Sequence, residues 1–152
     1  MKEKVNKMSG QFNGFFENAV HNQRVIIPAA FKRKFAEEAR KTVVITSGPL
    51  NSIALFPLDS WHWFLEKLEN GSEQDRNLRA QLIHGTVAEQ ELEGPGRIRI
   101  PELMLKEANI SDSVIVKGEL HYISLWNPDE FYAHRSAMLE EHRKKFTTVH
   151  YY

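Results

Sequence analysis

The sequence predicts a β-rich α+β domain made of two similar halves that share one core. Three observations lead there. The stretch GPGRIRIPELMLKEA, residues 94–108, repeats the grammar of QRVIIPAAFKRKF, residues 23–35, with Arg97 and Pro101 standing 73 residues after Arg24 and Pro28. The segments downstream of the two phrases are also alike: KTVVITSGPLNSIALFPLDSWHWF in the first half and SDSVIVKGELHYISLWNPDEFYAH in the second. A half of about 50 residues cannot bury both faces of a small sheet alone, so two halves packed about a pseudo-twofold axis reach a core more cheaply.

The elements come in the same order in each half. MKEKVNKMSG is charged and has no apolar stretch of signal-peptide type, so residues 1–11 read as a polar tail. The residue before a proline prefers extended backbone, so the strand through Val25 and Ile26 persists to Pro28 and then turns into a helix. That helix would turn Ala30, Phe31 and Phe35 inward and fan Lys32, Arg33 and Lys34 over its polar side. Thr42 to Thr46 and Ile53 to Phe56 read as strands about a turn at Gly48. Pro57 with Asp59 opens a helical connector from Ser60 to about Ile83, with Trp61, Phe64, Leu65 and Leu68 at helical spacing. It breaks at Asn70–Ser72 and resumes to His84. In the second half Ile98 and Ile100 face one way and Arg97 and Arg99 the other, before Pro101 and its helix. Strands Ser113 to Lys117 and Ile123 to Trp126 flank Gly118, and Pro128 with Asp129 opens a last helix to about Phe146. That helix carries Phe131, Arg135, Met138 and His142 along one side. The expected organisation is a tail at 1–11, a first repeat at 12–58, a helical connector at 59–84, a second repeat at 85–131, and a C-terminal helix and tail at 132–152.

The 152 residues contain no cysteine, which removes disulfides, thiolate nucleophiles and cysteine metal sites. No apolar run approaches the roughly 20 residues that cross a bilayer, so a cytoplasmic address is the default expectation. Net charge is zero, which argues against indiscriminate binding to nucleic acid. The average conceals a division, since residues 21–40 carry a net +3 and residues 59–95 a net −5. Catalytic patterns are weak. The seven histidines are scattered without an H-E-x-x-H arrangement, Ser60, Ser113 and Ser124 have no glycine elbow, and Glu130 with His134 offers two metal ligands without a third. Trp61, Trp63, Trp126, Phe131 and Tyr132 read as core and interface aromatics at helix starts.

The stretch IHGTVAEQELEGPGRIRIPELMLKEANI, residues 83–110, followed by VIVKGELHYISLWNPDEF, resembles the MraZ family, two-repeat relatives of the AbrB-type regulators. That family writes an acid, three residues, an arginine, and an apolar-x-apolar strand ending in proline. Glu93, Gly94-Pro95-Gly96, Arg97 and Ile98 to Pro101 match it, and the likeness extends from about Phe12 to Phe131. The first half departs from the pattern. The place of the acid falls on Val20, or on His21 if one turn residue is deleted, and Gln23 stands where glycine is expected. The resemblance implies a duplicated AbrB-like swapped-hairpin, or double-split, β-barrel with flanking helices. It also implies a ring-shaped homo-oligomer in the cytoplasm, associated with the nucleoid. Such a ring would bind double-stranded DNA in its own promoter region and regulate the division and cell-wall gene cluster, with no cofactor, small-molecule substrate, catalysis or membrane.

Each candidate residue has a plainer reading beside the functional one. His21, Asn22, Gln23 and Arg24 form a loop able to enter a major groove, where arginine pairs with guanine and asparagine or glutamine with adenine. From the residues alone a solvated polar turn is the simpler reading; the resemblance and the local positive charge tip the balance to DNA. Lys32, Arg33 and Lys34 are a solvated face first and phosphate contacts second. Arg97 and Arg99 come closely after Glu89, Glu91 and Glu93, so ion pairing within the chain or between subunits is the better expectation for them. Gly96 has a backbone explanation, since Pro95-Gly96 suits a type II turn. A second reading, prompted by the altered first motif and the zero net charge, is a structural or protein-interaction ring that keeps the fold and has lost DNA reading. A third, an antitoxin-like module, fits less well because such chains usually carry one repeat and a toxin-binding tail.

Overall fold

The computed structural model describes residues 8–148; of the sequence-based readings, most of the N-terminal tail and the last four residues lie outside them. The chain runs β1 (Phe15–His21), β2 (Arg24–Ile26), α1 (Ala29–Lys32), a 3-10 turn (Glu37–Ala39), β3 (Thr42–Ser47), β4 (Ile53–Pro57), α2 (Leu58–Glu69) and α3 (Glu73–His84). It continues β5 (Ala88–Glu91), β6 (Arg97–Arg99), α4 (Glu102–Glu107), β7 (Ser113–Gly118), β8 (Ile123–Trp126) and α5 (Pro128–Thr148). The eight strands form one antiparallel sheet in the order β5-β3-β4-β8-β7-β1-β2-β6, and a Glu93–Arg97 bridge nearly closes it into a barrel.

Once its ends are joined through that bridge, the order is unchanged by exchanging the two halves, and the register shows why. β1 of the first half pairs with β7 of the second, while its counterpart β5 pairs with β3 of the first. Each half therefore lends a strand to the other. β2 and β6 pair Arg24 with Arg99, Val25 with Ile98, and Ile26 with Arg97. A shift of 73 residues maps that set onto itself, so the pseudo-twofold axis passes through the Val25–Ile98 pair. The flanking hydrogen bonds obey the same symmetry: Ile27 N donates to Gly96 O at 2.9 Å and Ile100 N to Gln23 O at 2.8 Å.

Alternation along the strands sorts the core. Val25, Val43, Ile45, Ile53, Leu55, Ile98, Val114, Val116, Ile123 and Leu125 fill the barrel, together with Phe12, Phe31, Ile27 and Ile100. The opposite face of β3 and β4 buries Val44, Ala54 and Phe56 against Trp61 of α2. The equivalent face of β7 and β8 buries Ile115 and Trp126 against Phe131 of α5. All five residues of β4 are buried because both of its faces are covered.

The prolines of the repeated phrase stand one place outside the helices they introduce. Pro28 and Pro101 take the N-cap positions of α1 and α4, and their carbonyls accept the first helical amides. The basic helix expected through Lys34 is only four residues long, ending with Arg33 at its C-cap. The chain leaves the helix because the segment before β1 claims the backbone. Gly10 N donates to Lys34 O at 3.2 Å, and Ser9 Oγ accepts Ala36 N at 2.7 Å. Ser9 itself is buried, its carbonyl taking the Ser60 hydroxyl and its amide donating to Asp59 Oδ2. Asp59 thus anchors that segment instead of capping α2. Ser72 caps α3 through a reciprocal box with Asp75, which explains the break at residues 70–72. At α5 the cap is Asn127, whose Oδ1 accepts Glu130 N at 3.0 Å, one residue before the proline.

Candidate nucleic-acid interface

β1 and β2 are joined by two residues, since His21 pairs with Arg24. Both central residues have positive φ, 49° at Asn22 and 66° at Gln23, the signature of a type I′ hairpin turn. Asparagine suits the first of these positions, whereas the second is one where glycine is ordinarily preferred. The corresponding connection in the second half has three residues, with Glu93 bridged to Arg97 and positive φ at Gly94 and Gly96. The one-residue difference therefore lies inside the turn. In the ladder His21 occupies the place that Glu93 holds in the second half.

Arg24 receives the acid its own half lacks from the other half. Its Nε lies 3.2 Å from Glu93 Oε2, and its Nη1 donates to Asn22 O at 3.1 Å. Both partners are about a third or more exposed, so the pair is worth about 0–1 kcal/mol and matters more for orientation than for stability. Arg99 lies opposite Arg24 and donates to Gln23 Oε1 at 3.3 Å. The expected pairing of Arg97 and Arg99 with the preceding glutamates does not occur within the chain. Glu89 and Glu91 are carried off because β5 pairs with β3, and Glu93 goes to Arg24. Arg97 is exposed and has no hydrogen bond or ion pair from its side chain among the described residues.

Asn18, Ala19, His21, Asn22, Arg24, Ile26 and Arg97 line a cleft of about 350 Å³ between the two turns. The sequence reading missed Asn18 and Ile26. Asn18 Nδ2 donates to Ile26 O at 2.8 Å, and Ile26 is 50% exposed amid polar side chains. The signal for Asn18 was an amide beside Glu17 between the apolar pairs of FFENAV, and the signal for Ile26 was its alternation with the inward Val25 and Ile27. Of the basic run, Lys32 Nζ donates to Pro95 O at 2.7 Å, tying α1 to the second turn, and Lys34 Nζ donates to Gln11 O. Only Arg33 of the three has its side chain without a partner among the described residues. Gly96 has a φ of 112°, which favours glycine, and a Cβ added there would push the Lys32 stem, 2.8 Å away, off its present path. Pro101 sets the end of β6 as Pro28 sets the end of β2.

Away from this face, Glu130 accepts Asn51 Nδ2 and His134 stacks on Trp126, so neither member of that pair is a bare ligand. Among the described residues no group of three or more His, Asp or Glu could hold a metal ion, and no helix is long and apolar enough to cross a membrane.

A family profile described as "MraZ protein, putative antitoxin-like" matches residues 21–83. A protein of Roseiflexus castenholzii named "Transcriptional regulator MraZ" is 30% identical over 131 residues, 84% of this chain and 88% of the relative. The chain belongs to the MraZ family. Further MraZ proteins, also named transcriptional regulators, align over similar lengths. That of Thermomicrobium roseum is 29% identical over 86% of this chain and 91% of its own length. That of Oenococcus oeni is 27% identical over 85% and 90%. The profile begins at His21, the last residue of β1, and runs from the hairpin tip through β2 to Ile83, one residue short of the end of α3. The family's acid-x-x-x-Arg signature is thus read in two ways by this MraZ chain: complete in sequence at Glu93–Arg97, but joined in space as Glu93–Arg24.

Proposed function

We propose that this MraZ-family chain is a DNA-binding transcriptional regulator that acts as a ring of identical copies on repeated motifs in the promoter of the division and cell-wall gene cluster, its own upstream region included. The observation that carries the reading is the exposed I′ turn at Asn22-Gln23, which presents two amides and the oriented Arg24 beside Arg97 and Arg99 on a three-residue ribbon. Such a tip can enter a groove, with arginine and amides reading base edges and surrounding cations holding phosphates. Its relatives named transcriptional regulators support the regulatory role. In this reading residues 12–58 and 85–131 are the two repeats, residues 59–84 the connector, and the protein works in the cytoplasm at the nucleoid without a cofactor. The basic stretch 21–40 and acidic stretch 59–95 offer unlike patches that could meet head to tail, and such contacts close into rings.

Titration of the purified chain against its own upstream DNA and a scrambled duplex, at two salt concentrations, tests the reading. Arg24→Ala should weaken cognate binding by about 1–3 kcal/mol and relax sequence preference. Arg33→Ala should reduce both affinities alike. Equal, weak binding of both duplexes at low salt would defeat it. A protein-interaction ring that does not read DNA is the second reading. It is favoured by the neutralisation of Arg24 and by the hydrogen bonds that tie Lys32 and Lys34 to carbonyls.

A further inference from the structure

The pseudo-twofold permits a comparison of two equivalent sites inside one chain. Arg97 is the counterpart of Arg24, and His21 is the ladder counterpart of Glu93, because His21 faces Arg24 as Glu93 faces Arg97. Arg24 has its guanidinium on two acceptors, Glu93 Oε2 and Asn22 O. Symmetry would supply Arg97 with a carboxylate from position 21. A histidine stands there instead, on the wall of the same cleft as Arg97, and the Arg97 guanidinium is left exposed with none of its donors engaged among the described residues.

We propose that the two halves grip DNA unequally: Arg97, deprived of its carboxylate by His21, is the phosphate-binding cation of this face, while Arg24, held by Glu93, is an oriented reader that adds little to the charge-dependent part of affinity. The proposal rests on the DNA-binding reading above and divides its labour. A guanidinium with free donors can take a phosphodiester in a two-pronged contact and release condensed counterions as it does so. A guanidinium beside a carboxylate has little net charge to offer at a distance, yet its plane is fixed, which suits a base edge more than a mobile backbone. Glu93 is then a positioning residue for Arg24. It lowers general affinity, because it brings a negative charge near the phosphates, and it raises selectivity.

Fluorescence anisotropy of the full chain with its own upstream duplex and a scrambled duplex of equal length, over a salt series, separates these roles. Arg97→Ala should weaken both duplexes alike, by roughly three- to tenfold, and flatten the salt dependence by about one unit of log–log slope for each engaged copy. Glu93→Gln should strengthen binding to both duplexes while lowering the cognate-to-scrambled ratio, and Glu93→Asp, which keeps the carboxylate, should retain that ratio. His21→Glu supplies the missing acid and should reproduce the Arg97→Ala loss of scrambled-duplex affinity and flattening of the salt slope, whereas His21→Gln, which adds no carboxylate, should retain the salt slope whatever it does to cognate binding. The His21 variants change neither Arg24 nor Glu93 nor Arg97 itself, so they decide the matter even if Arg97→Ala disturbs folding. Unchanged scrambled-duplex affinity and salt slope in both Arg97→Ala and His21→Glu would overturn the unequal grip. So would a Glu93→Gln variant that loses affinity for both duplexes equally. An unsubstituted protein that binds neither duplex would instead bring down the DNA reading, and this division with it.

Discussion

Gln23 is a glutamine where the backbone calls for glycine, and replacing it gives a prediction whose sign depends on the substituent. Its φ of 66° places it in the left-handed region, which costs a side-chain-bearing residue roughly 1–2 kcal/mol relative to right-handed backbone. Gln23→Gly removes that cost but returns about 0.5–1 kcal/mol of conformational entropy to the unfolded chain. It also deletes the 3.3 Å hydrogen bond from Arg99, exposed and worth about 0.5 kcal/mol at most. The expected net is a stabilisation of about 0.5 kcal/mol, or roughly 1–2 °C in Tm for a chain of this size. Gln23→Val keeps the left-handed cost, raises it by β-branching and loses the same hydrogen bond, so a loss of about 1 kcal/mol is expected. Thermal melts of the three proteins at one concentration, held constant because assembly shifts Tm, should therefore rank Gly above Gln above Val. If Gln23→Gly melts lower than the parent while Gln23→Val matches it, the turn is not of the I′ type and the one-residue deletion has been placed wrongly.

Three further outcomes are expected. Gly118→Ala should be severely destabilising, because a Cβ there would overlap the backbone of Phe12 and Asn13, which cannot retreat as a side chain could; urea denaturation should show a loss of several kcal/mol, about 3 or more. Ile98→Ala removes a fully buried side chain on the pseudo-twofold axis and should cost about 2–5 kcal/mol in the same assay, whereas Ile26→Ala, at a half-exposed position beside the axis pair, should cost under about 1 kcal/mol. Burial first, and then the nearby Glu119 carboxylate, push the Tyr122 phenol up to about 12. A raised folded value means stability present below pH 10 and lost as pH rises towards 12, and ultraviolet titration should show one tyrosine ionising after the others, a phase absent from Tyr122→Phe.

Much of this protein is legible in its sequence because the governing interactions are local or periodic. Proline placement marks the ends of β2 and β6, alternation assigns Val25 and Ile98 to the interior, and Ser72 with Asp75 announces the start of α3. The 73-residue repeat makes the pseudo-twofold foreseeable, since two copies of one apolar pattern are most readily buried against each other. Other features depended on which segments meet. The basic helix stops at Lys32 because Ser9 and Gly10, far earlier in the chain, take up the backbone of Lys34 and Ala36. Glu93 serves Arg24 and not its neighbour Arg97, because strand exchange sets the first half's hairpin beside the second half's turn. His21, an unremarkable turn residue in the sequence, becomes the missing acid only once the ladder fixes its counterpart. Sequence alone determined the inward alternation of β2, β3, β4, β6, β7 and β8 and roughly where those strands begin, because those choices rest on backbone preference and burial within a few residues; it gave no reading of β1 or β5. The tertiary structure alone decided which charge meets which, because an ion pair depends on through-space distances that only strand pairing sets.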